Sequence, residues 1–75
     1  MFILEIGDNM RIEILVKQVR TTRNLTLSQL SIRSGVSSTH LNDIERNLKG
    51  PSLFVMVKLA KALDVNITEL YKVIW

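Results

Sequence analysis

One stretch, residues 25–47 with the sequence LTLSQLSIRSGVSSTHLNDIERN, constrains this chain more than any other. Thr26 followed three positions later by Gln29 predicts a capping box, in which each side chain satisfies an orphan backbone N–H of the other residue. Leu27, Leu30 and Ser31 then recur at helical spacing, and the helix is expected to run over 27–34. Gly35 ends it, because a sharp exit needs positive φ, which glycine adopts without steric cost. Val36 plugs the corner, and Ser37 caps a second helix over about 38–46 with Leu41 and Ile44 on its inner face. The outer face of that helix carries Ser38, Thr39, Asn42, Asp43 and Arg46.

Short hydroxyls and amides can hydrogen-bond base edges or phosphates without filling a groove. The pair therefore suits a second helix laid in the major groove of double-stranded DNA. Similar pairs also serve as plain packing units of all-α proteins, with the polar face merely solvated. The rest of the chain must decide between these readings.

Seventy-five residues make one small domain. The absence of cysteine excludes a disulfide framework and thiolate chemistry, and a single histidine with no acidic cluster argues against a metal site. The chain lacks an apolar run of about 20 residues and a signal-peptide pattern, so a soluble cytoplasmic location is expected. No nucleophile–base pair, paired carboxylates or Gly-rich phosphate loop can be assembled, so neither catalysis nor a cofactor is expected. The formal charge is +3, but residues 10–75 hold all ten Lys and Arg against five acids, a net +5 that suits a polyanionic partner.

The coarse organisation is an extended N-terminal segment over 1–9, containing the β-like run FILEI, followed by a domain over 10–75 with five helices. Helix 1 is expected from Met10 to Arg23 with Ile12, Val16 and Val19 inward, closed by Asn24 in a left-handed conformation. Helices 2 and 3 are the pair above. Gly50-Pro51 marks a loop, after which Ser52 caps helix 4 with Leu53, Met56, Leu59, Ala60 and Leu63 inward. Asn66 caps helix 5, carrying Ile67, Leu70, Tyr71 and Ile74. Ile-Gly-Asp-Asn-Met is encodable as a purine-rich ribosome-binding sequence before a start codon, so Met10 is an alternative start to Met1, which the nucleotide sequence would decide.

The order and spacing of Arg20, Leu25-Thr26, Gln29-Leu30, Gly35-Val36-Ser37, Leu41, Ile44-Glu45-Arg46, Pro51-Ser52 and Leu63-Asp64-Val65 with Leu70 resemble the Cro/phage-repressor, or Xre, helix-turn-helix family over about residues 10–72. The similarity is strongest to small regulators of biofilm and sporulation genes in bacilli and to controller proteins of restriction–modification systems. It implies an all-α, compact five-helix, lambda-repressor-like DNA-binding domain.

It also implies roles for individual residues. Helix 3 would enter the major groove, with Ser38, Thr39, Asn42 and Asp43 toward bases. Lys17, Arg20, Gln29, Arg46, Lys49 and the helix N-terminal amides would meet phosphates. Arg20 and Glu45 would form a partly buried bidentate pair fixing helix 3 to helix 1. Asp43 either orients Arg33 or Arg46 or accepts from cytosine, and His40 either packs at the core edge or touches a phosphate. Leu27 stands where the family has a phosphate-binding Gln, Ser31 where it has Ala, and Asn47 where Gly is common.

The chain is also more apolar than a bare DNA-binding domain needs, with a mean hydropathy of +0.19 and 47% hydrophobic residues. The excess lies in Phe54, Val55 and Val57 of helix 4, in Tyr71, Val73, Ile74 and Trp75 of helix 5, and in Ile14 and Leu15. Exposed apolar patches of this kind mark interfaces. A homodimer is therefore expected through helix 5 and part of helix 4, using Phe54, Val57, Tyr71, Ile74 and Trp75, which would present two recognition helices about 34 Å apart on a near-palindromic site. The alternative is that Trp75 and its neighbours fold back on the monomer. The N-terminal run either covers helix 4 or pairs with its two-fold mate.

The leading expectation is a sequence-specific transcriptional regulator, a repressor. A restriction–modification controller is the alternative within the class. A protein-interaction module, whose apolar surface binds a toxin or an antagonist protein, is the alternative outside it.

Overall fold

The computed structural model describes residues 2–5, 10–46, 48 and 50–75. Strands β1 (Phe2–Glu5) and β2 (Arg11–Ile14) are followed by helices α1 (Val16–Thr22), α2 (Leu27–Ser34), α3 (Ser38–Glu45) and α4 (Leu53–Leu63). A single 3-10 turn (Ile67–Glu69) then leads into strand β3 (Tyr71–Ile74). The strands form an antiparallel sheet in the order β1-β2-β3. No helix among the described residues is long and apolar enough to cross a membrane.

Two expectations are corrected. The first concerns Met10–Arg23, which is not one helix. Arg11-Ile12-Glu13-Ile14 alternates polar and β-branched residues with a period of two, a strand pattern. Phe2 to Glu5 pair with it in register, Phe2 opposite Ile14 and Leu4 opposite Ile12. Leu15 breaks the strand and α1 begins at Val16.

The second correction is that helix 5 does not form. One 3-10 turn follows Asn66, whose N–H donates to the Glu69 carboxylate at 2.8 Å. Tyr71-Lys72-Val73-Ile74, aromatic and β-branched, pairs instead with β2, Tyr71 opposite Ile14 and Val73 opposite Ile12. The Leu15 N–H donates to the Leu70 carbonyl at 2.9 Å and ties the two junctions together. The protein thus has four α-helices with a small sheet, not five helices.

The core is where these elements meet. Val16, Leu30, Leu41, Ile44, Leu59, Leu63 and Leu70 are fully buried, with Ile14, Leu25, Val36, Met56 and Ala60 completing the cluster. Of the inward residues expected on helix 4, Met56, Leu59, Ala60 and Leu63 are buried but Leu53 is 74% exposed. Leu53 sits at the tip of the helix, beyond the core. There it borders an open apolar groove with Ile12, Ile14, Pro51, Met56 and Tyr71. The sheet takes in part of the apolar excess, since Ile14 is buried and Leu15, Val73 and Ile74 are half-buried.

Candidate nucleic-acid interface

Two helices and the turn between them build the candidate surface. At the start of α2, the Thr26 hydroxyl accepts from the Gln29 N–H at 3.1 Å and the Gln29 side-chain oxygen Oε1 accepts from the Thr26 N–H at 2.8 Å. At its end Gly35 has φ of +75°, and its N–H donates to the Ser31 carbonyl at 2.9 Å. The Ser34 hydroxyl accepts from the Val36 N–H at 3.1 Å, so the corner is held from both sides while Val36 is buried beneath it. A non-glycine residue at this φ would be strained.

The turn delivers Ser37, whose hydroxyl accepts from the His40 N–H at 3.1 Å and starts α3. Leu41 and Ile44 are buried on its inner face, which directs the opposite face outward. Ser38 and Thr39 are exposed in the first turn, Asn42 and Asp43 are half-buried in the second, and Arg46 is exposed just past the end. No ion pair joins Asp43 to Arg33 or Arg46 among the described residues. His40 is half-buried at the edge of the helix.

Glu45, the last residue of α3, is 4% exposed and receives two hydrogen bonds from Arg20 of α1: Nε to Oε2 at 2.8 Å and Nη2 to Oε1 at 2.9 Å. Nη1 of Arg20 donates to the Leu25 carbonyl at 2.8 Å. One guanidinium therefore joins α1, the α1–α2 connection and the end of α3. The hydrogen bonds to Glu45 raise the Arg20 pKa, against the opposing effect of burial, and keep the group charged. The link to Leu25 was not foreseen from sequence, where nothing marks a particular carbonyl as an acceptor.

Of the other phosphate candidates, Lys17 and Gln29 are exposed on α1 and α2. Lys49 and Asn47 lie outside the described residues. A second basic cluster went unnoticed in the sequence: Arg33, Lys58 and Lys61 line a shallow depression with Ser34 and Ala62. The spacing of Lys58 and Lys61 by one helical turn was its only sign. Phe54, Val57 and Trp75 are exposed, while Tyr71 and Ile74 are half-buried on β3 rather than on a helix. Among the described residues no group of His, Asp and Glu could hold a metal ion.

Comparison with known proteins agrees with this arrangement. An uncharacterized HTH-type transcriptional regulator of Mycobacterium tuberculosis is 41% identical over 56 residues, 75% of this chain and 40% of that protein. SinR, an HTH-type transcriptional regulator of Bacillus subtilis, is 38% identical over 56 residues, 73% of this chain and 50% of that protein. This chain thus spans half or less of the length of either relative.

The N-terminal DNA binding domain of SinR superposes with a TM-score of 0.67 and 37% identity over 71% of this chain and 78% of that one. SinR in complex with DNA gives the same score. The restriction–modification controller protein C.AhdI from Aeromonas hydrophila superposes with a TM-score of 0.70 and 31% identity over 72% of this chain and 82% of that one. The helix-turn-helix family model itself matches residues 16–70, from the first residue of α1 through Leu70, and the chain belongs to that family, in its Xre-type branch.

Proposed function

We propose that this chain is a sequence-specific DNA-binding transcriptional regulator, a repressor, that lays α3 in the major groove of a near-palindromic operator as a homodimer. The observation that carries the reading is the presentation of α3. Its apolar face is locked into the core, its last residue is clamped by Arg20, and its first turn offers Ser38 and Thr39 to solvent. Side chains in the first turn of a recognition helix reach base edges, and short ones leave room for Asn42 and Asp43 behind them. The likeness to SinR, whose structure with DNA is known, supports the same docking.

Lys17, Gln29, Arg46 and Lys49 are the phosphate contacts in this reading, and Arg20 adds the N–H bonds that Glu45 and Leu25 leave unused. Phe54 and Val57 of α4, Tyr71 and Ile74 of β3, and Trp75 just after it provide the apolar surface for the second copy. In this reading 1–9 is an extended N-terminal segment and 10–75 the helix-turn-helix DNA-binding domain.

The test is fluorescence anisotropy of the protein against a pool of fragments from around its own gene. One fragment retained at salt concentrations that release the others supports an operator. Equal release of every fragment overturns sequence specificity. The likeness to C.AhdI favours a second reading, a restriction–modification controller, which predicts two dimers in tandem on one fragment. Binding of an antagonist or toxin protein by the apolar surface would be insensitive to salt, which separates it from phosphate contact.

A further inference from the structure

We propose that two copies of this chain join through the free edge of β3, antiparallel and centred on Val73, so that the sheet continues from one copy into the other. The inference rests on the homodimer reading above and specifies its geometry. β3 pairs with β2 along one edge only; among the described residues no strand covers the other. Such an edge presents unpaired backbone N–H and C=O groups that another strand can satisfy.

The occupant follows from the two faces of the strand. Residues directly opposite each other in an antiparallel pair share a face. Tyr71 and Val73 therefore share the face of Ile14 and Ile12, while Lys72 and Ile74 share that of Glu13 and Arg11. Incompletely buried apolar residues thus stand on both faces: Tyr71 and Val73 on one, Ile74 on the other. A partner laid on a single face would reach one group. A strand added at the edge reaches both.

The register is set by charge and by Trp75. A two-fold axis perpendicular to the sheet keeps each face on its own side, so the axis must pass through a residue position, and Lys72 and Val73 are the central ones. An axis at Lys72 puts two lysines directly opposite each other, which is repulsive. An axis at Val73 puts Val73 opposite its mate, Lys72 opposite Ile74, and Tyr71 opposite Trp75. Each Lys72 keeps Glu13 of β2 as its directly opposed residue on the other side. Trp75, 83% exposed in one copy, gains an aromatic cross-strand partner, and this happens twice per dimer. The apolar face then runs unbroken from Ile12 and Ile14 of one copy through Val73 to the same residues of the other.

The chain has no cysteine, so single-cysteine variants report the register directly. Opposed Cα atoms in an antiparallel pair lie about 4.5–5.5 Å apart, within disulfide reach, whereas diagonal neighbours lie beyond about 7 Å and cannot be bridged. Val73→Cys and Lys72→Cys would be oxidised under dilute conditions and run on non-reducing gels, beside sedimentation of the unchanged chain. The expected result is a covalent dimer from Val73→Cys and none from Lys72→Cys, with Trp75→Ala weakening dimerisation roughly tenfold through the two lost aromatic pairs. Bridging by Lys72→Cys alone overturns the register. A chain that sediments as a dimer while neither variant bridges overturns the edge pairing and leaves the homodimer standing. Sedimentation as a monomer at every concentration removes both.

Discussion

Arg20 and Glu45, 25 positions apart in sequence, meet as a bidentate pair whose two hydrogen bonds are 2.8 and 2.9 Å long. Because a third bond runs to the Leu25 carbonyl, the pair sets the angle of α3 against α1 and so the direction in which Ser38 and Thr39 point. Truncating one member of a buried pair leaves the other charged and without its partner.

Glu45→Ala should therefore destabilise the domain by about 3 kcal/mol. For a domain of this size that lowers the melting temperature by roughly 12 °C or more. Glu45→Gln should cost less, since one amide oxygen can still accept. The Arg20 contribution should be constant across ordinary pH. Its folded pKa is raised above the ordinary arginine value by the bonds to Glu45, so the stabilisation is full below that ordinary value and disappears only as pH rises through the raised one. Thermal melts of both variants check the idea, and an unchanged melting temperature for Glu45→Ala would end it.

Gly35 is held by backbone conformation rather than by space. A Cβ there would meet nothing within 4 Å, but φ is +75°. Gly35→Ala should thus cost about 1–2 kcal/mol from strain alone. Gly35→Asn should cost less, as Asn tolerates this region, which Asn24 at φ +57° already illustrates. Urea denaturation of the two variants distinguishes strain from packing. Equal losses would point to a steric cause that the geometry does not contain.

The caps were the part of the fold most legible in sequence. Thr26, Ser37 and Ser52 each accept the expected N–H bond, at 3.1 Å in all three cases. Such signals are local: a hydroxyl three positions before its donor needs no tertiary context. The inner faces of α2 and α3 were legible for the same reason, through helical spacing. Helices 1 and 5 were misread because Ile12 with Val16 and Val19, and Leu70 and Tyr71 with Ile74, also fit a helical stripe, while the period-of-two alternation that includes Ile14 and Val73 runs over only four residues in each strand. What decides between the two is pairing at long range, β2 with β1 on one side and β3 on the other, which no short window displays. Replacing any one of the three capping hydroxyls by Ala should cost about 1 kcal/mol. An exposed serine outside a cap, such as Ser28, provides the control, and equal effects from it would remove the capping account.

The candidate DNA contacts divide by chemistry, and the division can be measured. In the proposed docking, Ser38 and Thr39 read bases while Arg46 meets a phosphate. Replacing Ser38 and Thr39 together by Ala should lower affinity for the operator and leave binding to unrelated DNA unchanged, since the lost hydrogen bonds carry sequence information. Arg46→Ala should weaken binding to both kinds of DNA alike, and reduce the slope of log affinity against log salt by about one for each copy bound. Anisotropy titrations at several salt concentrations, on operator and scrambled fragments, give both quantities in one experiment. Folding is not at issue for either change: all three side chains are exposed, and neither the Arg20–Glu45 pair nor the Ser37 cap involves them. A uniform loss from the Ser38/Thr39 change, with the slope intact for Arg46→Ala, would mean that α3 does not face the groove by its first turn.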